Sequence, residues 1–126
     1  MQTEEKLDQI GIDCNAISEF MGGKVEFVPF EGWRTTFPYN WYVGPIAYNR
    51  SWEWLMPVID KINNLGKEYN FTIHKTYCSC SVEKGGKMYK DFHFAHSEIK
   101  YVGKEVDAAY KLVVKFLTWY NANKPQ

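Results

Sequence analysis

Apolar positions along the chain recur first at helical and then at strand spacing. Leu7, Ile10, Cys14, Ile17 and Met21 lie three and four residues apart, on one face of a helix at 3.6 residues per turn. Gly11 interrupts the series, so regular helix is expected from about Asp13, whose carboxylate would cap it. Gly22-Gly23 would close it, because glycine takes the left-handed conformation that ends helices. Lys24 to Phe30 alternates Val25 and Phe27 around Glu26 and predicts a strand, with Pro29 marking an edge or an end. Residues 31–50 hold Gly32, Pro38, Gly44 and Pro45; a loop is expected at Pro38 and a second strand over Trp41 to Val43. Ser51 to Leu65 predicts a helix capped by Ser51, bent at Pro57 and stopped at Gly66, with Leu55, Val58, Ile59, Ile62 and Leu65 as its buried stripe.

Period-two alternation follows. Tyr69 to Lys75 and Thr76 to Glu83 read as strands, Lys84-Gly85-Gly86-Lys87 as a hairpin turn, and Met88 to Phe94 as the returning strand. Three consecutive strands with short links predict an antiparallel meander. Val106, Ala109, Tyr110, Val113, Phe116, Leu117 and Tyr120 then form the apolar face of a last helix from about Gly103 to Asn121, before a polar, frayed tail over residues 122–126. Helices separated by hairpin-connected strands give an α+β fold in a single domain spanning residues 1–126.

Composition changes the picture in two places. Lys plus Arg equal Asp plus Glu at 15 each, so non-specific nucleic-acid binding, which needs a basic excess, is not expected. Residues 1–33 nevertheless carry a net −5 and the remainder +5, so a local basic face is compatible with a neutral total. Aromatic residues make up 17% of the chain, and ten of them fall between Phe27 and Trp54, together with Arg34 and Arg50, its only two arginines. There is no apolar run of membrane-span length and no secretory signal pattern, so a cytoplasmic protein without membrane association is expected, with Cys14, Cys78 and Cys80 as free thiols.

Three segments carry a resemblance: Asn15-Ala16-Ile17-Ser18-Glu19-Phe20-Met21-Gly22, Ser51-Trp52-Glu53-Trp54-Leu55-Met56-Pro57-Val58-Ile59-Asp60-Lys61-Ile62, and Val114-Lys115-Phe116-Leu117-Thr118-Trp119-Tyr120-Asn121. In this order and spacing they resemble the phage ABA-sandwich domain family, small proteins of bacteriophages and of mobile elements of gut bacteria. The resemblance implies a three-layer α-β-α sandwich, here with an antiparallel sheet of about four to five strands and three main helices. It implies no activity and no catalytic residues.

The Phe27–Trp54 segment is the strongest candidate for chemistry. A guanidinium presents a planar fork of donors to phosphate or carboxylate and stacks on aromatic rings. Trp and Tyr offer flat platforms to a base. Arg34, Arg50, Trp33, Trp41, Tyr42 and Tyr48 are therefore the candidate ligand-binding residues, although the same aromatics serve equally well to fill a small core. Cys78 and Cys80, with His74, His93 and His96 nearby in sequence, fit a zinc knuckle poorly because Cys-x-Cys is not the usual spacing, and no metal is expected. His93 with Asp91 and Glu98 is an acid–base trio of a kind that chance supplies, and no nucleophile elbow or phosphate loop accompanies it. The lysines at 84, 87, 90, 100, 104, 111 and 115 read as a solvated face.

These features point to a non-enzymatic phage accessory or anti-defence protein. It would sequester a small nucleotide-derived ligand such as an immune signalling molecule, without a cofactor and as a homodimer or higher homo-oligomer. The alternative is an adaptor that binds a host protein through an aromatic patch; a nucleotide-degrading enzyme is the third reading.

Overall fold

The computed structural model describes residues 6–74, 77–85, 87–95 and 104–123. The chain divides into two compact units, one up to Tyr48 and the other from Asn49 onward. The first holds α1 (Gln9–Phe20) and the strands β1 (Lys24–Val28), β2 (Gly32–Thr36) and β3 (Trp41–Val43). The second holds α2 (Trp52–Asn63), β4 (Tyr69–Ile73), β5 (Tyr77–Lys84), β6 (Lys87–Ala95) and α3 (Lys104–Asn123). The fold is α+β, with three helices and two three-stranded antiparallel sheets, ordered β1-β2-β3 and β4-β5-β6. No helix of the described residues is long and apolar enough to cross a membrane.

The expected single sheet of four to five strands is thus corrected to two sheets of three. The difference lies in β2, a strand that the glycines and prolines of residues 31–50 conceal. Val28-Pro29-Phe30-Glu31 closes a tight turn, with the Glu31 amide donating to the Val28 carbonyl at 3.0 Å. Pro29 suits its first corner and Phe30 takes φ 71° at the second, a position that normally calls for glycine. The chain then returns along β1 as β2 and again as β3, so these strands satisfy one another locally and α2 follows before the meander begins.

In the first unit, α1 begins one turn earlier than expected. Asp8 is its N-cap, its carboxylate accepting from the Gly11 amide at 2.8 Å, in place of Asp13. Gly11 does not break the helix. It lies buried on it, where an added Cβ would crowd Leu7 at 3.2 Å. The buried stripe accordingly runs through Gly11, Cys14, Asn15, Ile17 and Ser18, and Ile10 is exposed.

In the second unit, Leu55, Val58, Ile59 and Ile62 are buried as their spacing predicts. Ser51 is the N-cap of α2 by position, yet its hydroxyl makes no capping bond. Both α2 and α3 pack on the meander and on each other. In the β4–β5 register Phe71 stands opposite Cys80 and Ile73 opposite Cys78, so Phe71, Cys78, Cys80 and Val82 form the face beneath the helices. Gly86, the start of the last helix at Gly103, and residues 124–126 of the expected tail lie outside the described residues.

The outer edge of β4 is closed by one side chain. Asn63, at the end of α2, accepts from the Phe71 amide at 2.7 Å and donates to the Phe71 carbonyl at 3.2 Å. Its amide occupies the place of a neighbouring strand and leaves no bare edge at that position. Asn63→Ala is expected to destabilise the chain by about 1–3 kcal/mol, because both backbone groups of Phe71 lose their partner. Urea denaturation of the two proteins checks it, and an unchanged midpoint would remove the role assigned to Asn63.

Candidate functional site

Strand parity sorts the candidate residues. In the first sheet Val25 stands opposite Thr35 and Thr35 opposite Tyr42, while Phe27 stands opposite Trp33. These side chains share one face, and Thr35, only 1% exposed, marks it as the inner one. Arg34 stands opposite Glu26 and Val43, and Thr36 opposite Lys24 and Trp41, on the outer face.

The candidate residues of the first unit therefore do not gather on one face. Trp33 lies on the inner face, its ring edge-on to Phe27 at 5.7 Å, and Tyr42 lies there too, edge-on to Phe37 at 6.2 Å. Tyr48 is buried in the core of this unit, where the Ser18 hydroxyl donates to its oxygen at 3.3 Å. Burial pushes its phenol pKa above the ordinary value, and the nearby Cys14 and Tyr42 add to that. Arg50 is exposed in the turn before α2, in the other unit.

Arg34 and Trp41 do come together. The guanidinium carbon lies 5.1 Å from the centre of the Trp41 ring, a cation–π contact on the outer face. A guanidinium nitrogen of Arg34 also pairs with Glu31 at 2.5 Å, while Nε has no hydrogen-bond partner. Trp41 is 61% exposed and Val43, opposite Arg34, 64%, while Phe30 in the β1–β2 turn is 81% exposed and Tyr39 in the β2–β3 turn 95%. Glu31 and Phe30 were not singled out by sequence reasoning. Their significance depends on the turn that brings β2 back beside β1, and no pattern of apolar spacing encodes that turn.

The second sheet presents a polar outer face. Thr72 and Ser79 share a hydrogen bond of 3.0 Å across β4 and β5, and Ser79 stands opposite His93. Asp91 pairs with His93, and the His74 ring stacks on Tyr77 at 4.3 Å. Both side chains of this pair stand on the exposed outer face. Glu98, the third member of the expected trio, lies outside the described residues, as does His96. Cys78 and Cys80 point to the opposite, buried side of this sheet, where desolvation pushes their thiols up to about 11 and about 12. Thiols and imidazoles on opposite sides of one sheet cannot converge on an ion, and no group of three His, Cys, Asp or Glu among the described residues has metal-holding geometry. Lys111, from the expected basic face, pairs with Asp107 at 3.4 Å.

Comparison with known proteins gives no match: no family model fits the chain, and no curated protein and no solved structure is similar to it.

Proposed function

We propose that this chain is a binding protein, that its docking face is the outer side of the β1–β2–β3 sheet, and that it docks another protein there. The Arg34–Trp41 pair carries the reading. Trp, Tyr and Arg supply most of the energy of protein interfaces, and here an exposed Arg–Trp pair stands beside exposed Val43 on one face, with exposed Phe30 and Tyr39 in the turns at either end of β2. Phe30 adds weight because a bulky residue at φ 71° costs about 1–2 kcal/mol that glycine would avoid, yet its ring is held out in water.

Charge favours a protein over a phosphate-bearing ligand. Lys24 and Arg34 on this sheet are matched by Glu26 and Glu31, with Lys24 and Glu26 4.0 Å apart. A ligand with several negative charges meets no positive excess and must displace Glu31 from Arg34. A neutral, aromatic surface suits a protein partner better. The resemblance to phage ABA-sandwich proteins supplies the setting, an accessory factor acting on a host protein in the bacterial cytoplasm. Sequestration of a nucleotide-derived ligand is the second reading. It is favoured by the Trp41 indole beside a guanidinium, an arrangement that stacks a base and meets a phosphate.

Affinity capture from a bacterial host lysate tests both. The parent chain is expected to retain one protein at stoichiometric level, and Trp41→Ala to retain at least roughly tenfold less of it. Equal recovery by parent and variant would remove the docking face. A nucleotide mass released on denaturing the natively purified chain would favour the second reading. That reading fails in turn if an Arg34→Ala, Arg50→Ala double variant releases the same ligand in the same amount.

A further inference from the structure

The sheet of the first unit ends at β3, and the hydrogen bonds around β3 settle which way its backbone groups point. The Phe37 amide donates to the Asn40 carbonyl and the Gly44 amide to the Trp33 carbonyl, each at 2.7 Å. Hydrogen-bonded pairs alternate along an antiparallel ladder, so Thr35 and Tyr42, opposite each other between these two, form the bonded pair of β3. The N–H and C=O of Tyr42 therefore face β2. Those of Trp41 and Val43 face away from it, and among the described residues no further strand meets them.

Edge strands are ordinarily blunted by charge, proline or a covering side chain. The other described edges carry such devices: Asn63 closes β4, β1 holds Lys24 and Glu26, and β6 holds Lys87, Lys90 and Asp91. Trp41-Tyr42-Val43 has neither charge nor proline, and Trp41 and Val43 are both more than half exposed.

This edge is complementary to itself. Trp41 and Val43 lie symmetrically about Tyr42, so an antiparallel copy turned about a two-fold axis at Tyr42 sets Trp41 against Val43 of the second copy. Each N–H then finds a carbonyl, and the axis repeats the exchange. On the outer face each Trp41 ring lies beside Val43 of the other copy, an aromatic and β-branched pair of the kind that stabilises sheets. Lys24, Glu26 and Arg34 lie on the strands behind β3, so no like charges face one another across the axis.

We propose that two copies of this chain pair through β3, antiparallel and centred on Tyr42, to form one continuous six-stranded sheet. The pairing rests on the backbone edge of the sheet, whose outer docking face it extends across both copies.

Sedimentation velocity of the purified full chain over a concentration series, with amide hydrogen exchange followed by NMR at its two ends, tests the pairing. A reversible dimer of micromolar affinity is expected, since a three-residue edge buries less than a standard interface. In the dilute monomer only Tyr42 of the three residues has a bonded amide. In the dimer the Trp41 and Val43 amides are expected to exchange about tenfold or more slowly than in the monomer. Val43→Pro removes an outward amide and leaves the bonds to β2 in place, and it is expected to weaken the dimer about tenfold or more. If that variant fails to fold, the exchange of the parent amides decides alone. A monomer at every concentration, a dimer whose Trp41 and Val43 amides exchange as in the monomer, or a folded Val43→Pro that dimerises as the parent does would each overturn the pairing. Lysate capture judges the docking face and self-association of the purified chain judges the edge, so either can fail without the other.

Discussion

Phe116→Ala is expected to cost about 3–5 kcal/mol, the largest loss from any single substitution considered for this chain. The side chain is fully buried. Its ring stacks on Tyr120 at 5.5 Å and meets Tyr69 at 5.9 Å and Trp119 at 6.1 Å, so three aromatic residues lean on one position. Truncation removes the transfer energy of the ring and leaves a cavity that three large, mutually wedged neighbours cannot collapse to fill. Against a total stability of about 5–15 kcal/mol for a domain, that loss consumes a large share. Trp41→Ala provides the contrast. Its indole already stands mostly in water, so a stability change below about 1 kcal/mol is expected, whatever happens to docking. Guanidinium denaturation of both variants checks the pair. A Phe116→Ala cost below about 1.5 kcal/mol would show that the aromatic cluster is not the anchor of the second unit.

The contrast between these two residues reflects what apolar spacing encodes. Leu55, Val58, Ile59 and Ile62 on α2, and Val106, Ala109, Tyr110, Val113, Phe116 and Leu117 on α3, were legible because a long amphipathic helix repeats its signal over several turns. The meander was legible for a related reason: β5 alternates cleanly and short links join it to its neighbours. β2 was not legible. Gly32-Trp33-Arg34-Thr35-Thr36 lies between a proline turn and a second proline, and its most deeply buried residue is a threonine. Gly11 misled in the opposite direction, since a residue read as interrupting the helix is buried on α1, where an added Cβ would crowd Leu7 and Asp8. The candidate site suffered from the same missing strand. Density of Arg and aromatic residues marked the right segment, but a one-residue step along a strand changes face. Without the β1–β2–β3 register, Arg34 could not be separated from Trp33, nor Trp41 from Tyr42.

Raising the pH is expected to destabilise the second unit well before its lysines lose their charge, and the buried thiols are the reason. Cys78 and Cys80 have no measurable exposure and stand opposite Ile73 and Phe71 beneath the helices. Burial raises their pKa values to about 11 and about 12, and the charge of Asp91 adds to the shift at Cys80. In the unfolded chain both thiols ionise near pH 8.5. Below that pH both states hold both protons and stability is unaffected. Between about pH 9 and pH 11 the unfolded chain has released two protons that the native chain retains. Stability then falls by about 1.4 kcal/mol per thiol for each pH unit, and the fall ends only above the native pKa values. Tyr69, also raised by burial, acts in the same direction at higher pH, as Tyr48 does in the first unit. Cys80→Ala separates the thiol contribution from theirs. The variant, less stable at neutral pH because it leaves a small cavity, should lose stability about half as steeply as the parent between pH 9 and 10. Denaturation midpoints at half-unit pH steps measure both slopes. Equal slopes in parent and variant would mean that the thiols ionise in the folded chain as they do in water, and that the face beneath α2 and α3 admits solvent.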